Sequence, residues 1–152
     1  MAIPAHYERL VGSWAGLNRV WMMPTDPARE SSSTMVIGLV AQGKFLTLQY
    51  TWADEGNPQD GMIVLGQEET TVTAAWVDSW HMGDKMMICK GTSDTFGSVQ
   101  VQGNYSVPDH PDWGWSIKLT PNADDTFTVQ MHNIEPNGTP HLAVHVEYTR
   151  IG

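Results

Sequence analysis

The chain has 152 residues, 41% of them hydrophobic, and sets eight Lys and Arg against seventeen Asp and Glu for a formal net charge of −9. That length suits one domain (1–152) with room for a sizeable core. The negative charge, with no basic run to relieve it, argues against nucleic acid and anionic membrane surfaces as partners, and no apolar stretch approaches the length of a membrane-spanning helix. The first six residues, Met1 to His6, show neither the charged start nor the apolar run of a secretory signal. The single Cys89 cannot form an internal disulfide and sits in the apolar run Met86-Met87-Ile88-Cys89, which reads as a buried structural position. The expectation is a cytoplasmic protein, with its oligomeric state left open by the sequence.

Read in chain order, Pro4 to Leu10 is predicted as a short helix with Pro in its first turn. About ten strands follow, near 13–22, 34–41, 44–53, 61–68, 71–80, 85–92, 98–107, 113–120, 126–134 and 140–150, separated by Gly, Asn, Asp and Pro turns. Tight turns are expected at Gln42-Gly43, Glu68-Glu69-Thr70 and Gly83-Asp84, and longer ones at 54–58, 108–112, 121–125 and 135–138. The longest connection, 24–33, is expected to be a partial lid. There is no repeat and no linker. The pattern predicts an all-β fold, a single up-and-down antiparallel β-barrel of the calycin or lipocalin-like kind, with the short N-terminal helix closing one end.

In such a meander alternate turns lie at opposite ends. One end collects Trp14, Arg150, Phe45, Phe96 and Phe127; the other collects Trp21, Trp52, Trp80 and Trp113 with His81, His110, His132 and His141. This reads as a cup with a phenylalanine floor and a tryptophan–histidine rim. Gly12-Ser13-Trp14 opens the first strand and Tyr148-Thr149-Arg150 ends the last, so the guanidinium of Arg150 is expected over the Trp14 ring. Strand parity then turns Met22, Tyr50, Trp52, Trp76, Asp78, Trp80, Tyr105, Trp115 and Met131 inward, and these are the expected ligand-binding residues. Seven Trp and nine Met suit a cavity for a small apolar or aromatic molecule.

Asp78, between Trp76 and Trp80, is the one carboxylate on that face. It is either a ligand acceptor or general base, with His81 as its neighbour at the mouth, or a structural acceptor for amides at the strand end. Asp78 and His81 are therefore the candidate catalytic pair of an alternative reading, a cofactor-free enzyme doing acid–base chemistry such as isomerisation or cyclisation. Parity places His132, His141, His145 and Glu147 on the outer face, with His132 opposite His141; nothing in their spacing matches a known metal motif, so no metal site is expected.

The stretches Val11-Gly12-Ser13-Trp14-Ala15-Gly16, Trp76-Val77-Asp78-Ser79, Glu135-Pro136-Asn137-Gly138 and Glu147-Tyr148-Thr149-Arg150 together resemble the bacterial DUF1579 family of lipocalin-like proteins. The resemblance implies a calycin-like barrel and carries over no catalytic residue. A weaker resemblance is to the haem-binding nitrobindins, ten-stranded barrels with an early G-x-W and a His beside a Leu on the last strand, as in Thr139-Pro140-His141-Leu142. It implies haem as an alternative cofactor with His141 as iron ligand; otherwise no cofactor is expected.

Overall fold

From Thr71 to Asp78 every second residue is buried, and the same period of two runs through most of the chain. In the computed structural model, which describes residues 2–152, this alternation becomes ten strands. They are β1 Gly12–Val20, β2 Arg29–Val40, β3 Phe45–Asp54, β4 Asn57–Glu68, β5 Thr71–Asp78, β6 Met87–Ser93, β7 Val99–Val107, β8 His110–Pro121, β9 Thr126–Ile134 and β10 Pro140–Arg150. Each strand pairs antiparallel with the next, and β10 closes on β1 with Trp14 facing Arg150 and Val20 facing Val144. The ring of strands is closed, with its shortest ladder between β6 and β7, from Lys90 opposite Gln102 to Ser93 opposite Val99. The up-and-down barrel is the architecture expected from the turns. Among the described residues no helix is long and apolar enough to cross a membrane.

The N-terminal helix is a correction. Only Tyr7–Leu10 forms a turn, of 3-10 type, because His6 takes a left-handed conformation (φ 74°) that interrupts any helix begun at Pro4. Tyr7 and Leu10 are nonetheless buried and cap that end of the barrel. The lid is a second correction. β2 begins at Arg29, so the connection is Trp21 to Ala28, and Ser31, Ser32 and Ser33 pair with Asn18, Leu17 and Gly16 instead of forming a loop. Serine-rich composition reads as loop, yet the Ser33 hydroxyl lies inside, 2.7 Å from that of Tyr148. The turns expected to be long at 54–58 and 108–112 are the two-residue turns Glu55-Gly56 and Pro108-Asp109; Glu55 and Gly56 both have positive φ, the conformation of tight hairpins.

At the floor, Trp14 is fully buried, donates its indole N–H to the Leu10 carbonyl at 2.9 Å, and carries the Arg150 guanidinium 4.5 Å from its ring centroid. Arg150 also donates to the carbonyls of Arg9 (2.6 Å) and Val11 (3.1 Å), tying the last strand to the capping turn. The three-phenylalanine floor does not form. Phe127 packs against Trp14 and Tyr7, but Phe45 falls on the outer face beside inward Leu46, and Phe96 is 82% exposed in a turn.

Candidate functional site at the barrel mouth

The site is built around Asp78, the last residue of β5. Register places Tyr50 opposite Gly61 and Gly61 opposite Asp78. A Cβ at Gly61 would collide with the Tyr50 hydroxyl, so the missing side chain is what lets the phenol lie across β4. Asp78 Oδ2 accepts from the Tyr50 hydroxyl at 2.6 Å and from Trp52 Nε1 at 3.2 Å. Its Oδ1 accepts from the backbone N–H groups of Trp80 and His81, each at 2.8 Å. Trp76 Nε1 donates in turn to the Tyr50 hydroxyl oxygen at 2.9 Å. Burial, and then the Asp78 charge, push the Tyr50 phenol well above its ordinary pKa, so it stays a donor. Four donors on two oxygens leave this buried carboxylate no spare acceptor position. The geometry is that of the structural acceptor at a strand end, with two core aromatics bound to the same group.

The turn after Asp78 folds back over the mouth: the Met82 and Gly83 amides donate to the Asp78 carbonyl (3.0 and 3.1 Å), and the Lys85 amide donates to that of Met82 (3.1 Å). This brings the His81 ring among four indoles. Trp52 lies near-parallel to it at 5.4 Å and 27°, Trp76 is at 5.7 Å, Trp115 at 5.3 Å, and Trp80 meets it edge-on at 4.7 Å and 88°. Burial lowers the His81 pKa against the opposing pull of Asp78 and Asp54, which keeps the imidazole neutral near pH 7.

Open space lies at the mouth on both sides of this ring. One cleft, of about 400 Å³, is walled by Trp21, Met22, Trp113, Glu135 and His141; the other, of about 440 Å³, by Met82, Met86, Met87 and Tyr105. His81 and Trp115 border both. Below them the interior holds a void of only about 20 Å³, room for about one water. A ten-stranded barrel is wide enough to hold a ligand, but here large inward side chains fill it, Trp14, Trp76, Tyr148 and Phe127 among them.

The expected ligand-binding set therefore divides. Met22, Trp80 and Trp115 border the first cleft, and Trp76, Tyr105 and Trp115 the second. Tyr50, Trp52, Asp78 and Met131 lie beneath, around the small void. Met22 is on the rim, 45% exposed, because β1 ends at Val20 and the Trp21 amide leaves it to donate to the Ala143 carbonyl. The set omits Trp21, Trp113 and the methionines of 82–87, to which the Met-Trp-rich composition of their segments points, and it omits Glu135, to which no such signal points.

His141 is the main correction of facing. The β9–β10 register shifts between Leu142 and Val144, so His141 pairs with Asn133, not with His132, and turns onto the wall of the first cleft. Bulge residues reverse parity on one side only, and no Gly or Pro marks this one. His141 Nε2 lies 2.7 Å from Glu135 Oε2. The Tyr105 hydroxyl, on the second cleft, donates at 2.6 Å to Oδ1 of Asn133, on the first. The indole N–H of Trp115 is buried with no acceptor among the described residues. Among those residues no three His, Cys, Asp or Glu side chains gather as metal ligands. Cys89 is fully buried and its thiol is pushed up to about 11 by burial, the environment of an inert core thiol.

The family model described as "Protein of unknown function (DUF1579)" matches residues 5–150. No curated protein matches the chain. Among solved structures, the crystal structure of Rv2717c from M. tuberculosis is similar, with a TM-score of 0.67 at 16% identity over 96% of this chain and 95% of that one. At that identity the likeness is one of fold.

Proposed function

The chain belongs to the DUF1579 family, and we propose that it binds a small apolar or aromatic molecule at the mouth of the barrel. One observation carries this reading: two adjoining clefts of about 400 and 440 Å³, walled by Trp and Met and meeting at His81 and Trp115. Amphipathic indoles at a water edge supply contact area, and thioethers adapt to shape. The binding place is the rim, not the packed interior. The neutral dye N-phenyl-1-naphthylamine tests it: binding should quench intrinsic Trp fluorescence, and Trp113→Ala should weaken binding by about tenfold, as expected for loss of an aromatic anchor. Absence of binding, or binding indifferent to Trp113→Ala, would refute it.

The acid–base alternative rests on a pair other than Asp78 and His81. His141 and Glu135 form a hydrogen-bonded dyad on the first cleft, whereas the Asp78 oxygens are saturated. A ligand that binds should then be converted to product, and His141→Ala should stop turnover while changing affinity little. The inward face of His141 also bears on haem. Its Nε2 is engaged by Glu135 at 2.7 Å, a bond that iron ligation through that nitrogen would have to displace. Added haemin should give no Soret band that disappears in His141→Ala.

A further inference from the structure

His81 borders all three spaces at the mouth, the two clefts and the small void beneath them, and among the described residues it is the one that does. We propose that the His81 ring is a resident occupant of a four-tryptophan box, and that this box, vacated when the ring swings out, binds a planar nitrogen heterocycle. The inference rests on the mouth-binding reading and names the ligand's chemical class.

The box already holds such a ring. An imidazole lies among Trp52, Trp76, Trp80 and Trp115 with centroid distances of 4.7 to 5.7 Å, one partner stacked and another edge-on. These are the separations that aromatic pairs favour. What fixes His81 is its backbone: its amide is bound by Asp78 Oδ1, while among the described residues its ring makes no hydrogen bond. The ring therefore leaves by rotation about its side-chain bonds, with Asp78 still pinning the turn and the box walls still in place. Rotation joins the two clefts and the void into one pocket, because His81 is their shared wall. That pocket then offers the Trp115 N–H, which has no acceptor among the described residues in the closed form, to an acceptor on the guest. A heterocycle with an sp² nitrogen meets both demands, a flat π-face for the indoles and an acceptor for the donor. It matches what the side chain itself presents, so His81 acts as a competing intramolecular ligand and lowers apparent affinity by the fraction of time the box is filled.

Benzimidazole is the probe, titrated into the full chain and followed by proton NMR and Trp fluorescence. In the free protein the four indoles should shield the His81 ring protons; at saturation those resonances should move to the positions of a solvent-exposed histidine. His81→Ala, with the competitor removed, should bind benzimidazole at least about tenfold more tightly than the wild type. Benzimidazole bound with the His81 ring still shielded, or His81→Ala binding no more tightly, would overturn the proposal. If His81→Ala does not fold, the wild-type titration decides alone. The two readings fail separately: N-phenyl-1-naphthylamine binding that depends on Trp113, with no release of His81 by benzimidazole, leaves the mouth-binding reading standing and removes the box.

Discussion

Asp78 gathers four donors from three places: the phenol of Tyr50 on β3, the indole of Trp52 on the same strand, and two consecutive amides of its own turn. A buried carboxylate is costly unless its lone pairs are filled, and here they are. Asp78→Ala should strand all four donors at once and lower unfolding free energy by about 3–5 kcal/mol, read as a drop in urea midpoint. Asp78→Asn keeps the volume but turns one acceptor into a donor facing donors, so it should destabilise as well, by less. A fall below about 0.5 kcal/mol for Asp78→Ala would mean water takes over the carboxylate's place. His81 adds a pH dependence of known sign. Its folded pKa lies below the ordinary 6.5, chiefly through burial and despite Asp78 and Asp54, so the unfolded chain takes up this proton first as pH falls. Its contribution is complete above that value and is lost as pH drops from about 6.5 toward the folded pKa. Stability measured at pH 7.5 and 5.5 should fall more in the wild type than in His81→Phe, which keeps a ring in the box without a titrating proton. An equal fall in both would show that the His81 proton costs nothing.

At the scale of elements, what the sequence discloses is the period of two and the turn chemistry. Those suffice for ten strands, their order, and the inward set of β3, β5, β8 and β9, since Leu46, Leu48, Tyr50 and Trp52 are buried and alternate with exposed or half-buried neighbours. The Trp14–Arg150 stack was legible too, because both residues lie on strands with unbroken parity from the closure outward. Parity fails wherever a residue is inserted. The irregularity between Leu142 and Val144 reverses His141 without any glycine or proline to announce it. Strand ends fail for another reason: Met22 follows a strand that stops at Val20, and Ser31 to Ser33 join one that composition alone would call loop. Whether inward residues leave a cavity is not a question of direction at all. It depends on summed side-chain volume against barrel width, and the indoles and phenols that suggested a pocket are the groups that fill it. That His81 lies at the mouth was legible, but its enclosure among four indoles was not, since that comes from a turn folded on Asp78 oxygens and not from strand alternation.

The whole molecule separates stability from binding along the barrel axis. Trp14 and Val20 are six residues apart on β1, so floor and mouth lie about 20 Å apart at the rise of an extended strand. The floor is sealed by Trp14, Arg150, Tyr7 and Phe127, whereas the mouth clefts are walled by other residues. Arg150→Ala removes the cation–π contact and two bonds to the carbonyls of the capping turn; it should cost on the order of 1–2 kcal/mol and leave dye affinity unchanged. Trp14→Ala, which also leaves a void, should cost about 3–5 kcal/mol. Trp113→Ala is expected to act in the opposite sense, weakening dye binding while lowering stability little, because its half-exposed ring borders a cleft and not the packed interior. With no shared partner and a separation well beyond the reach of direct contacts, Arg150→Ala and Trp113→Ala should add in both readouts to within about 0.5 kcal/mol. The result that would overturn this lies in the seam, since β1 and β10 pair from Trp14–Arg150 at the floor to Val20–Val144 toward the mouth. If that seam carries strain from floor to mouth, the double variant will lose more affinity than Trp113→Ala alone, and the barrel will be one mechanical unit instead of a rigid base bearing an adaptable rim.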